Sequence, residues 1–338
     1  MRTKVVYTLV SDANDIYLEQ AFVSMTSLRY HNKDAHIILV VDESTKESLS
    51  IESRKKESLL ANEIIVVKTH DSLTNQQKSR YIKTSVRQYL DGDFLFIDTD
   101  TIILRSLDPI DNIDVEIGAC IDSHTCIARN PYRKMIFDHV AKQGWTIDCE
   151  ADYFNSGVIY VKDSELARNF YKKWHENWRN GVDLGVNMDQ PSFARTNKEM
   201  GYVVRRIPDE WNCEIVHGIR FLKDAFILHY LCTNTLYEDD ETVFLLRNKK
   251  ILNDVKQTGL IPKSVYQVFD DPFKGIPALT FLLAGKEIDM MRQLTPSDEV
   301  IIGSASFSFL RFLQRKSLLT HIERVMNTMR KIKNFGKR

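Results

Sequence analysis

Hydrophobic and polar positions along the first hundred residues follow two alternating patterns. Short apolar runs rich in β-branched residues indicate four buried strands, at 4–10, 36–41, 64–67 and 94–97. Between them, apolar residues at helical spacing or charged stretches indicate three helices, over 16–30, 42–60 and 76–90. Strands that alternate with helices predict βαβ units. We therefore expect the α/β class, with a mixed, mainly parallel sheet flanked by helices.

The position of the glycines excludes two common phosphate-binding loops near the N-terminus. The first glycine of the chain is Gly92. The Rossmann turn and the P-loop both need glycines after an early strand, because side chains would keep the backbone away from the phosphates. Neither loop can exist within residues 1–91. A nucleotide-sugar pyrophosphorylase, which usually opens with a glycine-rich loop, is disfavoured for the same reason.

The composition is that of an ordinary globular protein, with 46 basic and 46 acidic residues among 338 and 43% hydrophobic residues. The five cysteines show no C-x-x-C spacing, so we expect reduced thiols rather than disulfides or a zinc site. No apolar run approaches the ~18 residues of a membrane span, and the first ten residues lack the apolar core of a signal peptide. These observations predict a cytoplasmic protein.

The charge is distributed unevenly along the chain. Residues 311–338 contain nine basic residues and one acidic residue, which leaves 1–310 with a net charge of −8. An acidic body argues against a nucleic-acid partner. From Leu318 to Ile332 the apolar residues fall on one helical face, and a basic amphipathic helix lies in the headgroup plane of an anionic membrane. We expect peripheral contact with the cytoplasmic face of a membrane; the alternative is a helix that packs on the acidic body.

The sharpest local feature is a pair of carboxylates directly after the fourth predicted strand. Asp98 and Asp100 follow four apolar residues, and open α/β sheets place their ligands at the carboxyl ends of strands. Two close carboxylates repel each other, so a divalent ion between them would explain the pair. Asp91 and Asp93 have the same spacing, but they precede the strand and indicate a solvated turn. Asp98 and Asp100 are therefore candidate metal ligands because of their context.

Two enzyme classes place an Asp-x-Asp motif at the end of an apolar strand. The segment 94–100 resembles the first motif of haloacid-dehalogenase-like phosphohydrolases, in which the first aspartate is the nucleophile. It also resembles the metal-binding motif of nucleotide-sugar glycosyltransferases with the GT-A fold. The phosphohydrolase motif normally lies near the N-terminus, whereas Asp98 comes nearly one hundred residues into this chain. The remaining motifs favour the glycosyltransferase.

Several segments between residues 4 and 230 carry the motifs of one family in that family's order. A first strand with a nucleotide-binding loop spans Tyr7–Asp12, with Tyr17 beyond it, and a basic residue on a helix is Arg80. A strand that ends in aspartate spans Ile117–Asp122, and the Phe-Asn-Ser-Gly-Val sequence spans Phe154–Val158. An Asp-Gln pair, Asp189–Gln190, and a strand that ends in histidine, Ile227–His229, complete the set. In this set the chain resembles family 8 glycosyltransferases, the retaining group that includes glycogenins and bacterial lipopolysaccharide galactosyl- and glucosyltransferases.

The resemblance implies the GT-A fold over residues 1–235, followed by a C-terminal helical extension over 236–338. It implies a site for Mn²⁺ or Mg²⁺ with three ligands: Asp98, Asp100 and His229. It places a UDP-sugar donor against eight residues: Thr8, Val10, Tyr17, Arg80, Lys83, Asp98, Thr99 and Asp100. It places four residues at the reaction centre: Asp122, Asn155, Asp189 and Gln190.

The activity that the resemblance implies is transfer of a hexose, glucose or galactose, from a UDP-sugar to a carbohydrate or lipid-linked glycan acceptor. The family retains the configuration at the anomeric carbon. Because an amide is a poor nucleophile, we favour a front-face reaction in which Gln190 stabilises the developing positive charge.

The chain departs from the family pattern after the candidate metal-binding histidine. The family usually continues with Gly and Lys in a pattern like HxxGxxKPW, but here Cys232 and Thr235 occupy those two positions. That lysine normally contacts the diphosphate, so Arg80, Lys83 or a later basic residue would have to replace it. Two alternatives therefore remain: a phosphohydrolase that uses Asp98, and a degenerate protein that binds a sugar nucleotide or glycan without turnover.

Overall fold

Strands and helices alternate from the N-terminus, as the hydrophobic pattern predicts. The computed structural model describes residues 1–51, 54, 60–231 and 244–276. In this part of the chain the strands are β1 (Lys4–Leu9), β2 (Ile37–Asp42), β3 (Glu63–Val67), β4 (Phe94–Ile97), β5 (Thr101–Ile103), β6 (Ile117–Ile121), β7 (Phe154–Val161), β8 (Arg205–Arg206), β9 (Cys213–Glu214) and β10 (Ile227–His229). The α-helices are α1 (Tyr17–His31), α2 (Glu43–Ser48), α3 (Asn75–Ser85), α4 (Arg133–Lys142), α5 (Glu165–Asp183), α6 (Gln190–Glu199), α7 (Lys249–Thr258) and α8 (Lys263–Asp270).

Within the described residues, seven strands form the central sheet in the order β3-β2-β1-β4-β7-β6-β8. The strands β1 to β4 run parallel to one another, and β6 pairs parallel with β8. β7 runs antiparallel to both of its neighbours, β4 and β6. Every residue of β2, β4, β6 and β7 is buried, as expected of strands covered on both faces. The α/β class with a mixed, mainly parallel sheet is confirmed.

The direction of β7 determines which residues lie next to the end of β4. Because the two strands are antiparallel and Ile97 pairs with Val158, the start of β7 lies opposite the residues that follow β4. The backbone N–H of Asp98 donates to the carbonyl of Gly157 at 2.7 Å. The Phe-Asn-Ser-Gly-Val sequence and the Asp-x-Asp motif, more than fifty residues apart in the chain, therefore meet at one edge of the sheet.

A smaller sheet, in the order β5-β10-β9, contributes the histidine of the predicted site. β10 pairs antiparallel with β5, and His229 lies opposite Thr101 in that register. The backbone N–H of Tyr230 donates to the carbonyl of Asp100 at 3.0 Å. Strand pairing thus holds His229 beside the second aspartate of the motif.

Two of the predicted helices differ in length from those in the structure. α2 ends at Ser48, although the charged pattern predicted helix up to residue 60; most of the remaining stretch lies outside the described residues. α3 gives way to a 3-10 helix over Val86–Tyr89, so the helix predicted over 76–90 is α-helical only in its first part.

The described C-terminal segment, 244–276, packs against the first helix. Buried apolar residues of α7 and α8 form one cluster with Val23 of α1 and with residues of the small sheet. The domain boundary predicted at 235 and the amphipathic tail over 311–338 lie outside the described residues, and both stay predictions. No helix in the described part of the chain is long and apolar enough to cross a membrane.

Candidate active site

The predicted donor-binding residues share one edge of the central sheet. Asp98, Thr99 and Asp100 follow β4 directly. The carboxyl ends of β1 and β4 are adjacent because these two strands pair in parallel. Thr8 lies near the end of β1, and Val10 directly follows this strand. Tyr17 is the first residue of α1, the next helix along the chain. The sheet therefore brings the predicted nucleotide-binding loop and the Asp-x-Asp motif to the same edge, where open α/β sheets bind ligands.

The three predicted metal ligands come together at this edge. One ligand atom from each of Asp98, Asp100 and His229 lies within 4.8 Å of the others. Nε2 of His229 is 3.2 Å from Oδ1 of Asp100, and the imidazole is buried. Burial and the neighbouring charge of Asp100 raise the pKa of Asp98, against the opposing effect of Lys83. Two carboxylates and one imidazole supply the oxygen and nitrogen donors that Mn²⁺ accepts, and the carboxylates also suit Mg²⁺, so the residues present fit such a cation.

Gly157 leaves the space that the imidazole occupies. A Cβ atom at this position would overlap with Cε1 of His229 and would lie 3.0 Å from Oδ2 of Asp98. Any side chain here would displace one of the candidate metal ligands. The glycine of the Phe-Asn-Ser-Gly-Val sequence is therefore required by the close approach of His229 to β7.

Two cations of α3 face the carboxylates of the site. Nζ of Lys83 lies 3.1 Å from each carboxylate oxygen of Asp98 and 3.3 Å from Oδ2 of Asp189. Nε of Arg80 lies 3.0 Å from Oδ1 of Asp189. Although burial raises the pKa of Asp189, Lys83 and Arg80 together lower it to about 2. The four side chains form one cluster, in which two carboxylates compensate the buried ammonium group of Lys83.

Asp122 lies at the centre of a second group of predicted residues. Its carboxylate accepts hydrogen bonds from Nε2 of Gln190 at 2.7 Å and from Nδ2 of Asn155 at 3.1 Å. Nδ2 of Asn130 donates to the other carboxylate oxygen at 2.7 Å. Three of the four residues predicted at the reaction centre are thus in direct contact. The fourth, Asp189, directly precedes Gln190 and belongs to the charged cluster.

Three residues that the sequence did not single out complete these contacts. Oδ1 of Asn212 lies 2.8 Å from Nδ1 of His229, and its Nδ2 lies 3.1 Å from Oδ1 of Asn155. The hydroxyl of Ser156 donates into the charged cluster at 2.8 Å, and Asn130 bonds to the central carboxylate. Only Ser156 carried a signal, because it stands inside the Phe-Asn-Ser-Gly-Val sequence. Asn130 lies in an irregular segment and Asn212 ends a single 3-10 turn, and neither path is encoded by a periodic pattern.

Solved structures of galactosyltransferase LgtC show the same fold. A structure of galactosyltransferase LgtC with donor and acceptor sugar analogs is 16% identical, with a TM-score of 0.50, over 78% of this chain and 99% of that chain. An active-site mutant of LgtC gives 16% identity and a TM-score of 0.50 over 77% and 98% of the two chains. Apo mouse xyloside xylosyltransferase 1 is 15% identical over 70% and 99% of the chains, with a TM-score of 0.47.

Sequence comparison gives one family. No curated protein matches the chain. The profile described as glycosyl transferase family 8, however, matches residues 8–235, about two thirds of the sequence. The matched region contains the Asp-x-Asp motif, the Phe-Asn-Ser-Gly-Val sequence, the Asp-Gln pair and the histidine that meets them, and its fold is that of GT-A glycosyltransferases. The chain therefore belongs to glycosyltransferase family 8.

Proposed function

We propose that this glycosyltransferase moves a hexose, glucose or galactose, from a UDP-sugar to a carbohydrate or lipid-linked glycan acceptor, with retention at the anomeric carbon. One observation carries the proposal: the candidate metal ligands and the reaction-centre residues form one connected site. Asn155 bonds to Asp122 on one side and to Asn212 on the other, and Asn212 bonds to His229. A nucleotide-sugar donor needs both halves side by side, because its diphosphate and its anomeric carbon react together.

Asp98, Asp100 and His229 would hold the divalent cation. When bound, Mn²⁺ or Mg²⁺ would supply Lewis-acid stabilisation of the charge that develops on the leaving diphosphate. Lys83 contacts both oxygens of Asp98 and so orients this carboxylate and reduces its repulsion with Asp100. Arg80 retains an exposed fraction of 32% in its side chain. It is therefore our candidate for the diphosphate contact that the family's missing lysine would otherwise make.

The orientation of Gln190 supports its role at the anomeric carbon. Its Nε2 donates to Asp122 at 2.7 Å, so its carbonyl oxygen Oε1 is the atom left for an electron-poor partner. Asp189, the nearest carboxylate in sequence, is held in ion pairs with Lys83 and Arg80. These contacts favour a front-face reaction, in which Gln190 stabilises positive charge and Asp189 does not attack the sugar.

The phosphohydrolase alternative is not retained, because the chain belongs to a glycosyltransferase family. The degenerate alternative has the same fold and the same binding residues, so only turnover separates it from the proposed function. Slow hydrolysis of a panel of UDP-sugars with Mn²⁺ is the direct test. We expect sugar release that stops in EDTA and falls roughly 100-fold in the Gln190→Ala variant. Donor binding without release would support the degenerate alternative, and turnover of p-nitrophenyl phosphate would revive the phosphohydrolase.

The stereochemistry of the product tests the finer part of the proposal. From an α-linked donor, we expect an α linkage in the product, which NMR of the anomeric proton measures. A β linkage would place the enzyme among inverting glycosyltransferases and would remove the role proposed for Gln190.

A further inference from the structure

Asn212 is a fully buried side chain between the two halves of the site. It belongs to a 3-10 helix over Asp209–Asn212, directly before β9. Its Oδ1 lies 2.8 Å from Nδ1 of His229, and its Nδ2 lies 3.1 Å from Oδ1 of Asn155. Both ends of this amide are therefore bonded to residues of the proposed site.

The direction of these bonds follows from a backbone group. The N–H of Gly157 can only donate, and it lies 2.8 Å from the side chain of Asn155, so the atom that it meets must be Oδ1. The other end of Asn155 is then Nδ2, which donates to the carboxylate of Asp122. Asn212 in turn must present its Nδ2 to Oδ1 of Asn155, because that oxygen carries no hydrogen. Its own oxygen is left to face His229.

We propose that Asn212 is a positioning residue that keeps a proton on Nδ1 of His229, so that Nε2 is the ring nitrogen left to coordinate a cation held by Asp98 and Asp100. The proposal rests on the metal site in the proposed function and adds a residue to it. In the opposite tautomer, the lone pair of Nδ1 would face the oxygen of Asn212 at 2.8 Å inside the protein. Two acceptors in contact with no hydrogen between them are strongly disfavoured when both are buried.

The tautomer decides whether the imidazole can bind a cation at all. A ring nitrogen coordinates a metal through its lone pair, and the bond made by the other nitrogen determines which one is free to do so. Nε2 is the nitrogen that lies 3.2 Å from Oδ1 of Asp100. With a proton kept on Nδ1, Nε2 is the nitrogen that can give its lone pair to a cation bound by the two carboxylates. Asn212 thus determines which ring nitrogen coordinates the metal.

The first experiment reads the tautomer in the wild-type protein without metal. Long-range ¹H–¹⁵N NMR of protein labelled at histidine distinguishes the two ring nitrogens of His229, and the His229→Gln variant assigns the signal. We expect a protonated Nδ1. A protonated Nε2 with an unprotonated Nδ1 would overturn the proposal without the need for any variant of Asn212.

The second experiment measures Mn²⁺ affinity by calorimetry. Asn212→Leu removes the acceptor, and we expect the affinity to fall about 10- to 100-fold, the usual effect of removing the partner of a metal-binding histidine. Asn212→Asp keeps an oxygen opposite Nδ1 but loses the bond to Asn155, so we expect a smaller fall in affinity than in Asn212→Leu. The control is Asn177→Leu, which changes another buried asparagine that bonds to Thr196 and Glu199 and should leave the affinity unchanged.

The outcomes separate this inference from the proposed function. Wild-type protein that binds no Mn²⁺ would remove the metal site itself. Wild-type protein that binds Mn²⁺ while Asn212→Leu binds it equally would overturn only the role of Asn212. If Asn212→Leu does not fold, the NMR measurement on the wild-type protein decides alone, because a proton on Nε2 with none on Nδ1 would overturn the proposal.

Discussion

At the scale of single residues, the chain contains its own comparison for the Asp-x-Asp motif. Asp98 and Asp100 meet His229, whereas the side chain of Asp91 is 93% exposed and pairs with Arg168 at the surface. We expect Asp98→Asn or Asp100→Asn to cost several kcal/mol of transition-state stabilisation, roughly what a metal ion supplies. The small activity that remains should no longer depend on Mn²⁺. Asp91→Asn should leave kcat/KM nearly unchanged, because an exposed ion pair contributes about 0–1 kcal/mol.

Kinetic constants measured across a Mn²⁺ titration check this prediction. Equal losses in the Asp91 and Asp100 variants, or full activity in EDTA, would contradict the assignment of the ligands.

Gly157 allows a second test at this scale. A methyl group at this position overlaps with His229, so Gly157→Ala should lower Mn²⁺ affinity at least about tenfold, as displacement of a ligand does. Gly181→Ala is the matched control. Its Cβ would lie 2.5 Å from Nε2 of Gln143, away from the metal ligands, so it should reduce stability without changing the affinity. Thermal unfolding and calorimetry together separate the two effects, and unchanged affinity in Gly157→Ala would be the contrary result.

Single residues were predictable from sequence where they stood at the end of an element or inside a distinctive motif. Asp98 and Asp100 follow an apolar strand, so their place at the ligand-binding edge of the sheet could be predicted, while their role as metal ligands stays a prediction. Asn212 carried no such signal. Its contact with Asn155 joins positions 57 residues apart, and it depends on how a loop returns to the sheet. Hydrophobic periodicity describes which face of an element is buried, and it contains no information on where a connecting segment meets the sheet.

At the scale of elements, the contact between α3 and α5 contains a histidine that stays neutral in the fold. Nδ1 of His175 lies 2.8 Å from Oγ1 of Thr84, and the ring packs edge-on against Tyr81. Burial, with a smaller effect from Arg179, lowers the pKa of His175 from 6.5 to about 4. Between these two values the unfolded chain takes up a proton that the folded chain does not. The stability that this histidine contributes is complete above pH 6.5 and is lost as the pH falls toward 4.

We therefore expect the free energy of unfolding to fall by about 2 kcal/mol between pH 7 and pH 5 through His175. Urea unfolding at the two pH values measures it. His175→Gln should remove most of this acid-side loss, and His70→Gln, a change at an exposed position, should retain it. An unaltered loss in His175→Gln would show that other groups cause it.

Elements were predicted well where their burial pattern was simple. β4 has the bounds that the sequence predicted, because its four apolar residues lie between polar turns. The direction of β7 was beyond the sequence pattern, since a fully apolar strand looks the same in either direction. Yet this antiparallel pairing places Gly157 opposite the end of β4 and thereby builds the site.

At the scale of the whole molecule, the basic tail over 311–338 makes the prediction with the largest consequence for where the enzyme works. The tail lies outside the described residues, and its sequence predicts a basic amphipathic helix. Each cation near an anionic surface adds about 1 kcal/mol of binding. We expect the intact protein to sediment with anionic liposomes and a protein without residues 311–338 to remain in the supernatant.

A tail with two of its lysines changed to glutamate is the control for that deletion. Lys331→Glu with Lys333→Glu keeps the length and the apolar face but should weaken sedimentation strongly. Liposome binding that survives the deletion, or is absent from the intact protein, would reject the membrane interpretation. A deletion that unfolds the protein would favour the alternative, a helix packed on the acidic body.

The packing of α7 and α8 on α1 has a consequence for the synthesis of the chain. Nε2 of Gln20 donates to the carbonyl of Leu246, and the hydroxyl of Tyr30 donates to Asp270, across more than two hundred residues. A ribosome that adds 5 to 20 residues per second needs roughly 10 to 50 s to travel from the end of α1 to the end of α8. Throughout that interval the side of α1 that packs against α7 and α8 lacks its native contacts. The nascent amino-terminal part therefore leaves the ribosome with an apolar face that chaperones can bind, although the finished enzyme buries it.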